Sequence, residues 1–421
     1  MAEALCPGVG KARPKARIVR VRRLECRMRI AFYAPLKSPT HNTPSGDRRV
    51  GRLLMDALRL AGHTVVLASD FRSFEGDGDA LRQAVIRDQG TGIANRLIQQ
   101  WLDGAQDERP ELWFTYHLYY KAPDWIGPEV SRALGLPYVV AEASYAAKRA
   151  GGAWAVGHAA TRTAIQAATL LLCPTHDDVA GLQQVADGHT QVVRLPPFLD
   201  PAPYRVAAQT RAAQRASLCA MYGLPRHEPW LVVVAMMRSG DKLASYHLLA
   251  QALGHLADLQ WQILVVGDGS ARDEVRALLE RAAPGRSHFL GQCGADALAG
   301  IYAASDIFIW PAVNEAYGMA MLEAQAAGIP VVSCAVRGVP DVVCDGRTGL
   351  LAASGDAAGL GRLARALLLD RPRRVAMGQA AAQFVVAERS TLEAARHLNC
   401  AFDDLQMHLP GAKPTGVGTP A

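Results

Sequence analysis

The chain has 421 residues, half of them hydrophobic and a fifth charged, which suffices for two domains with cores of their own and excludes a fibrous or wholly disordered chain. The net charge of +6 is unevenly placed: residues 1–27 hold eight of the 45 Lys and Arg and two of the 39 Asp and Glu, leaving 37 of each sign elsewhere. The basic balance thus belongs to the amino-terminal segment and gives no support to nucleic-acid binding by the folded body.

Residues 1–27 read as a basic, disordered extension or as a translation start placed upstream of Met28. A basic arm that touches anionic lipid is the alternative, which would put a cytoplasmic protein in peripheral contact with the inner membrane face. The segment lacks the apolar centre of a secretory signal. From Met28 the pattern is strand, loop, helix, repeated. Arg29 to Ala34 is a short apolar run, and Arg48 to Ala61 has apolar residues at helical spacing. His63 to Ala68 is the next strand, and the unit predicts a parallel sheet. Between Phe71 and Glu111 only Ala94 to Leu102 has a helical pattern. Strands follow at Leu112 to His117, Tyr138 to Ala141, Leu170 to Cys173 and Val192 to Leu195.

Pro196 and Pro197 close the first series, and Phe198 to Tyr204 leads out of it. The second series starts with a fully apolar strand, Trp230 to Met237. It continues with Gln262 to Val266, His288 to Leu290, Ile307 to Trp310, Val331 to Cys334 and Gly349 to Ala352. Ser270, with Asp273 three residues on, is the expected cap of the helix after Gly269. A long helical stretch, Arg374 to Leu405, is interrupted near Glu388 to Ser390. The expected division is an extension over 1–27, a first domain over 28–202, a second over 203–389, a helix over 390–409 that packs back on the first domain, and a disordered tail over 410–421.

The eight cysteines lack the spacing of a zinc or thioredoxin-like site, and several stand in apolar runs, as in a reducing cytoplasmic setting. No apolar run approaches the ~18 residues of a membrane-spanning helix. Asp77 and Asp79 have the Asp-x-Asp spacing of metal-dependent transferases, but they follow no apolar strand and read as a solvent loop. His176, Asp177 and Asp178 read as a helix start. No metal is expected.

In open parallel sheets ligands bind beyond the carboxyl ends of the strands. Arg238 and Lys242 follow the Trp230 strand in RSGDK, where two cations beside a glycine suit a pyrophosphate or form a solvated loop. Glu315 and Glu323 bracket EAYGMAMLE after the Ile307 strand. Gly318 lets the chain turn into a helix near Met319, whose first N–H groups suit phosphate oxygens. The Glu323 carboxylate can accept hydrogen bonds from the vicinal hydroxyls of a ribose.

PAVNEAYGMAMLEAQAAGIPVVSC resembles the donor-binding core of the family 4 retaining glycosyltransferases, whose motif is two glutamates with seven residues between. VVGDGSARDEVRALL (Val265 to Leu279), RGVPDVVCDGRTGLL (Arg337 to Leu351), RIAFYAP, the Gly46 loop and LPPFLD (Leu195 to Asp200) resemble other segments of that family. The likeness covers most of residues 28–405 and is stronger in the second half. It implies the α/β GT-B fold: two Rossmann-like domains with parallel sheets facing a central cleft. It implies a UDP-, GDP- or ADP-linked sugar as co-substrate, no required cofactor, and transfer with retention to a glycan, a glycolipid or a small molecule.

The same likeness puts Arg238 and Lys242 on the donor diphosphate, Glu323 on the ribose and Glu315 near the sugar. Gly318, Met319 and Ala320 would add backbone contacts, and Gly267 and Asp268 join the donor set. The separation of Arg238 and Lys242 is shorter than members often have, which bears on Lys242. In the first half, Gly46 would let the backbone approach the donor, and His117 resembles a family histidine near the reacting sugar. Its alternative is a histidine satisfied in an aromatic loop. Glu142 and Tyr119 are acceptor-side candidates. The reading requires Arg238, Glu315 and Glu323 to converge on one pocket. An epimerase of similar fold and a non-catalytic binder of nucleotide sugars remain as alternatives. GDG at Gly267 to Gly269 is too short for a dinucleotide motif.

Overall fold

A computed structural model describes residues 27–43 and 45–408. The expectations for residues 1–26 and 410–421 lie outside the described residues. The first half runs β1 (Arg29–Tyr33), α1 (Gly46–Leu60), β2 (Thr64–Ser69), α2 (Ala80–Asp103), β3 (Leu112–Leu118), α3 (Gly127–Leu134), β4 (Tyr138–Ala143), α4 (Ala155–Ala167), β5 (Leu170–Cys173), α5 (His176–Gln183) and β6 (Gln191–Arg194). The linking helices are α6 (Ala202–Gln209) and α7 (Arg211–Tyr222). The second half runs β7 (Trp230–Val234), α8 (Asp241–Gly254), β8 (Gln262–Val266), α9 (Arg272–Ala282), β9 (Ser287–Gly291), α10 (Ala295–Ala304), β10 (Ile307–Trp310), α11 (Met319–Ala326), β11 (Val331–Cys334), α12 (Val339–Val342), β12 (Gly349–Ala352) and α13 (Ala357–Leu369). Two long helices close the chain, α14 (Arg371–Glu388) and α15 (Thr391–His408).

Each half is a six-stranded parallel sheet, in the orders β2-β1-β3-β4-β5-β6 and β12-β11-β10-β7-β8-β9. The central strands are buried on both faces, which is why they read as unbroken apolar runs. In both sheets the chain order reverses direction beside the first strand, and loops leaving the carboxyl ends there open a crevice. The fold is the expected α/β architecture with two Rossmann-like domains.

The chain crosses between the halves twice, and the crossings touch. Leu199 N–H donates to Arg389 O at 3.0 Å, and Thr391 N–H donates to Leu199 O at 3.0 Å. Beyond that crossing α15 returns to the first half, where Leu398, Phe402 and Leu405 join a core with Leu54, Leu58 and Phe114. Asn399 fixes the return by donating to Ala61 O at 3.1 Å and bonding His63 at 3.0 Å.

Three local expectations need correction. Helix α2 is far longer than Ala94 to Leu102: Asp79 caps it by accepting from the N–H groups of Leu81 and Arg82. Gly90 interrupts the apolar pattern because a side chain there would stand 2.6 Å from the Cβ of Trp125. Strand β7 stops at Val234, after which the chain leaves the regular ladder, though Met237 still donates to Asp268 O at 2.9 Å. Ser270 does not cap α9, whose start at Arg272 has no side-chain cap. Asp77 pairs with Arg82 beside the α2 cap, and Thr175 caps α5 by accepting from Asp178 N–H.

Candidate functional site

The second sheet opens into a cavity of about 340 Å³ at its carboxyl edge. Its wall includes Val266, Gly267, Lys242, Glu315 and the start of α11 at Gly318, Met319 and Ala320, with Cys293 and Leu298 opposite. Gly267 has φ +138°, and a Cβ there would stand 1.9 Å from Ala235 O, so the two loops close on each other only through a glycine. Gly318, with φ +80°, starts α11, and the helix has no side-chain cap at that end. The first N–H groups of α11 are therefore available to a ligand.

Lys242 Nζ forms an ion pair with Glu315 Oε2 and stands 5.7 Å from the centre of the Trp310 ring. The loop carrying Glu315 is held in a strained form, with Ala312 and Asn314 at φ +62° and +52°. Asn314 donates to Asp241 at 2.9 Å and accepts from Arg337 at 3.2 Å, while Val313 N–H donates to Ser245 Oγ at 3.0 Å. The bonds to Asp241 and Ser245 tie the loop to α8, which carries Lys242, and so hold the glutamate beside the lysine.

Of Arg238, Glu315 and Glu323, expected to converge on one pocket, Glu315 lines this cavity and the other two stand outside its lining. Arg238 is exposed and does not line the cavity, and its guanidinium makes no hydrogen bond or ion pair among the described residues. The early end of β7 places it on the loop before α8. Asp268 is exposed at the rim, where it faces Arg272 at 3.8 Å. Glu323 stands on the face of α11 that carries Met319 and Ala320, one turn deeper, and is also absent from the lining. It is buried, and its oxygens are engaged by Arg49, which comes from α1 of the first half, and by the Tyr302 hydroxyl at 3.0 Å. Arg49 also donates to the Tyr204 hydroxyl at 2.7 Å. Burial raises the Glu323 pKa, and Arg49 opposes the shift.

The first half faces this wall with strand ends bent out of the sheet. His117 in β3 and Glu142 in β4 have φ +63° and +59°, left-handed values that non-glycine residues seldom adopt. The turn brings Asp47 Oδ1 to 3.0 Å and Glu142 Oε1 to 3.9 Å from His117 Nδ1, an ionic contact rather than an aligned hydrogen bond. Burial works against the imidazolium, but Glu142 and Asp47 outweigh it, and the His117 pKa is raised. Contact with His117 in turn lowers that of Asp47. Burial raises the Glu142 pKa, which His117 partly offsets. The Tyr119 ring lies 5.4 Å from His117, and its burial pushes the phenol up to about 12. Gly46 is the first residue of α1 rather than a loop residue; Ser45 caps the helix, and no neighbour demands a glycine at 46.

The two walls touch at defined points. Tyr317 donates to Glu142 Oε2 at 3.1 Å, and Gly338 packs against Thr175. Asp341 receives Arg194 and His176, both at 2.5 Å. A narrow slot of about 30 Å³ lies between the walls, lined by Tyr116, Pro196, Phe198 and Tyr317, and Met319 borders both it and the larger cavity. Sequence reasoning missed Asp47, Arg49, Tyr204, Tyr302 and Tyr317. Asp47 and Tyr317 had a signal, since one follows Gly46 and the other lies inside the two-glutamate segment. The other three sit on helices with nothing local to mark them.

Residues 230–384 match the family described as glycosyl transferases group 1. The D-inositol 3-phosphate glycosyltransferase of Corynebacterium jeikeium is 30% identical over 223 residues, which is 50% of this chain and 52% of that protein. The chain spans about half or less of the length of the first curated relatives it matches. Among solved structures, sucrose-phosphate synthase from Thermosynechococcus elongatus aligns with a TM-score of 0.66 at 19% identity, over 91% of this chain and 100% of that one. HepE of Anabaena, in complex with UDP and glucose, aligns at 0.66 and 16% over 89% and 99%. Those two likenesses establish the shared two-domain fold over nearly the whole chain.

Proposed function

We propose, from the premise that residues 230–384 belong to the glycosyl transferases group 1 family, that this protein transfers a sugar from a nucleotide sugar to an acceptor hydroxyl with retention of configuration. The observation that carries the reading is the Lys242–Glu315 pair beside the uncapped start of α11, in a cavity at the carboxyl edge of a parallel sheet. Residues 203–389 bind the donor and residues 28–202 the acceptor. A uridine diphosphate sugar is the first donor to test, since the HepE structure contains UDP.

Cleavage of the bond between the anomeric carbon and the β-phosphate oxygen leaves charge on the diphosphate. Lys242, the α11 N–H groups and, once its exposed side chain folds inward, Arg238 stabilise that charge. Glu323 holds the ribose hydroxyls and Glu315 lies by the sugar, with Gly267, Asp268 and Gly318 to Ala320 around the donor. The acceptor oxygen bonds the anomeric carbon on the face the phosphate leaves, and the acceptor proton passes to the leaving phosphate oxygen. His117, set between Asp47 and Glu142, faces the reacting centre from the first-half wall. Glu142 and Tyr119 border the acceptor side, next to Gly46 and Asp47 at the start of α1. No step requires a metal.

The test is a thermal-shift screen of UDP-, GDP- and ADP-sugars on the intact chain. One class is expected to raise the melting temperature, and Glu323→Ala and Arg238→Ala should abolish the shift in folded protein. Unchanged shifts in both variants would move the donor elsewhere. Turnover of donor alone to an isomer would make the protein an epimerase.

A further inference from the structure

The Glu323 carboxylate assigned above to the ribose already has a partner, and that partner comes from the opposite half of the molecule. Arg49 extends from α1 to Glu323 Oε1, with its second nitrogen on the Tyr204 hydroxyl at 2.7 Å. The other carboxylate oxygen accepts from Tyr302 at 3.0 Å. The Glu323 side chain is 5% exposed and that of Arg49 41%, so the guanidinium is the outer, displaceable member of the pair. Met319 and Ala320 line the cavity one helical turn before Glu323, and Leu298 lines it one turn before Tyr302. The carboxylate thus stands just past the end of the cavity, and Arg49, which does not line the cavity, covers Oε1.

A carboxylate can accept several hydrogen bonds, so Tyr302 and a ribose diol can share it. A guanidinium and the diol cannot both take the approach to Oε1. We infer that Arg49 is a positioning residue that competes with the ribose hydroxyls of the donor for Glu323, so that donor binding must break a contact between the two halves. The competition carries donor occupancy to α1, whose first turn holds Asp47 beside His117. This inference rests on the assignment of Glu323 to the ribose.

The test measures the affinities of uridine diphosphate and 2′,3′-dideoxyuridine diphosphate by calorimetry, or of the guanosine pair if the donor screen selects that base. The titrations are repeated at a second, higher pH, so that any protonation of Glu323 in the absence of Arg49 is seen. In the native chain the diol-bearing ligand should bind more tightly. Arg49→Met should raise that preference about five- to tenfold, the scale of one charge-assisted hydrogen bond at a part-exposed site. Tyr204→Phe, which frees Arg49 but leaves Glu323 and its charge partner intact, should raise it in the same direction by less. Arg49→Lys keeps the charge without the fork and should fall between native and Met. A native preference that stays unchanged in both Arg49→Met and Tyr204→Phe overturns the competition, as does equal weakening of both ligands. No preference in either the native chain or Arg49→Met would instead remove Glu323 from the ribose, and the inference would fall with that assignment.

Discussion

The two walls of the cleft are built in different ways. The second-half wall is local: Glu315, Gly318, Met319, Ala320 and Glu323 lie within one loop and the helix it starts, and Lys242 joins from the first turn of α8. The first-half wall is assembled from distant places, Asp47 on α1, His117 on β3 and Glu142 on β4, and two of its members depend on left-handed backbone inside strands. A local wall leaves a pattern in the sequence. An assembled wall leaves single residues with no common spacing, so its chemistry emerges only when the sheet brings the strand ends side by side.

The largest effect is expected on the local wall. Lys242→Met should lower kcat/KM for transfer by about 10² to 10³, the range for loss of one fixed charge or donor at a developing anion, with little change in melting temperature. An effect below about threefold would show that the pair with Glu315 is only structural. Gly267→Ala comes next: with Ala235 O at 1.9 Å from the new Cβ and φ at +138°, unfolding should become easier by about 2 to 3 kcal/mol in denaturant titrations. A neutral result would mean that the β7 and β8 loops part without cost.

Smaller effects probe the assembled wall. Tyr317→Phe removes the hydroxyl that reaches Glu142 across the cleft and should cost about 1 kcal/mol of stability by denaturant titration. A larger loss would mean that this one bond holds the halves together. The most delicate test is pH. The His117 pKa is raised in the fold, so its stabilising contribution is complete below the ordinary value of about 6.5 and is lost as pH rises through the higher folded value. The melting temperature of the native chain should therefore exceed that of His117→Gln by most in mild acid, and the gap should close at alkaline pH. A gap independent of pH would separate His117 from Asp47 and Glu142.

This contrast also decides what was legible in the sequence. The alternation of apolar runs with amphipathic stretches located all twelve strands, most plainly the central ones, because a parallel strand buried on both faces must be apolar throughout. Helix α2 escaped because its interior Gly90 answers to Trp125, a neighbour in space. Lys242 and the segment from Glu315 to Ala320 were readable as one cavity wall. Arg238 stands exposed on the loop between Val234 and α8, outside the cavity lining, although Met236 before it lines the cavity. Arg49 was invisible: it is one of several arginines on α1, and only the second half gives it a partner.

The most direct measurement of the central claim is photo-crosslinking of an azido-uridine diphosphate sugar to the intact chain, followed by peptide mapping. The account predicts label in peptides containing Val234 to Lys242, Gln292 to Leu298 or Glu315 to Glu323, competed by unlabelled nucleotide. Specific, competable label confined to residues 28–202 would contradict it.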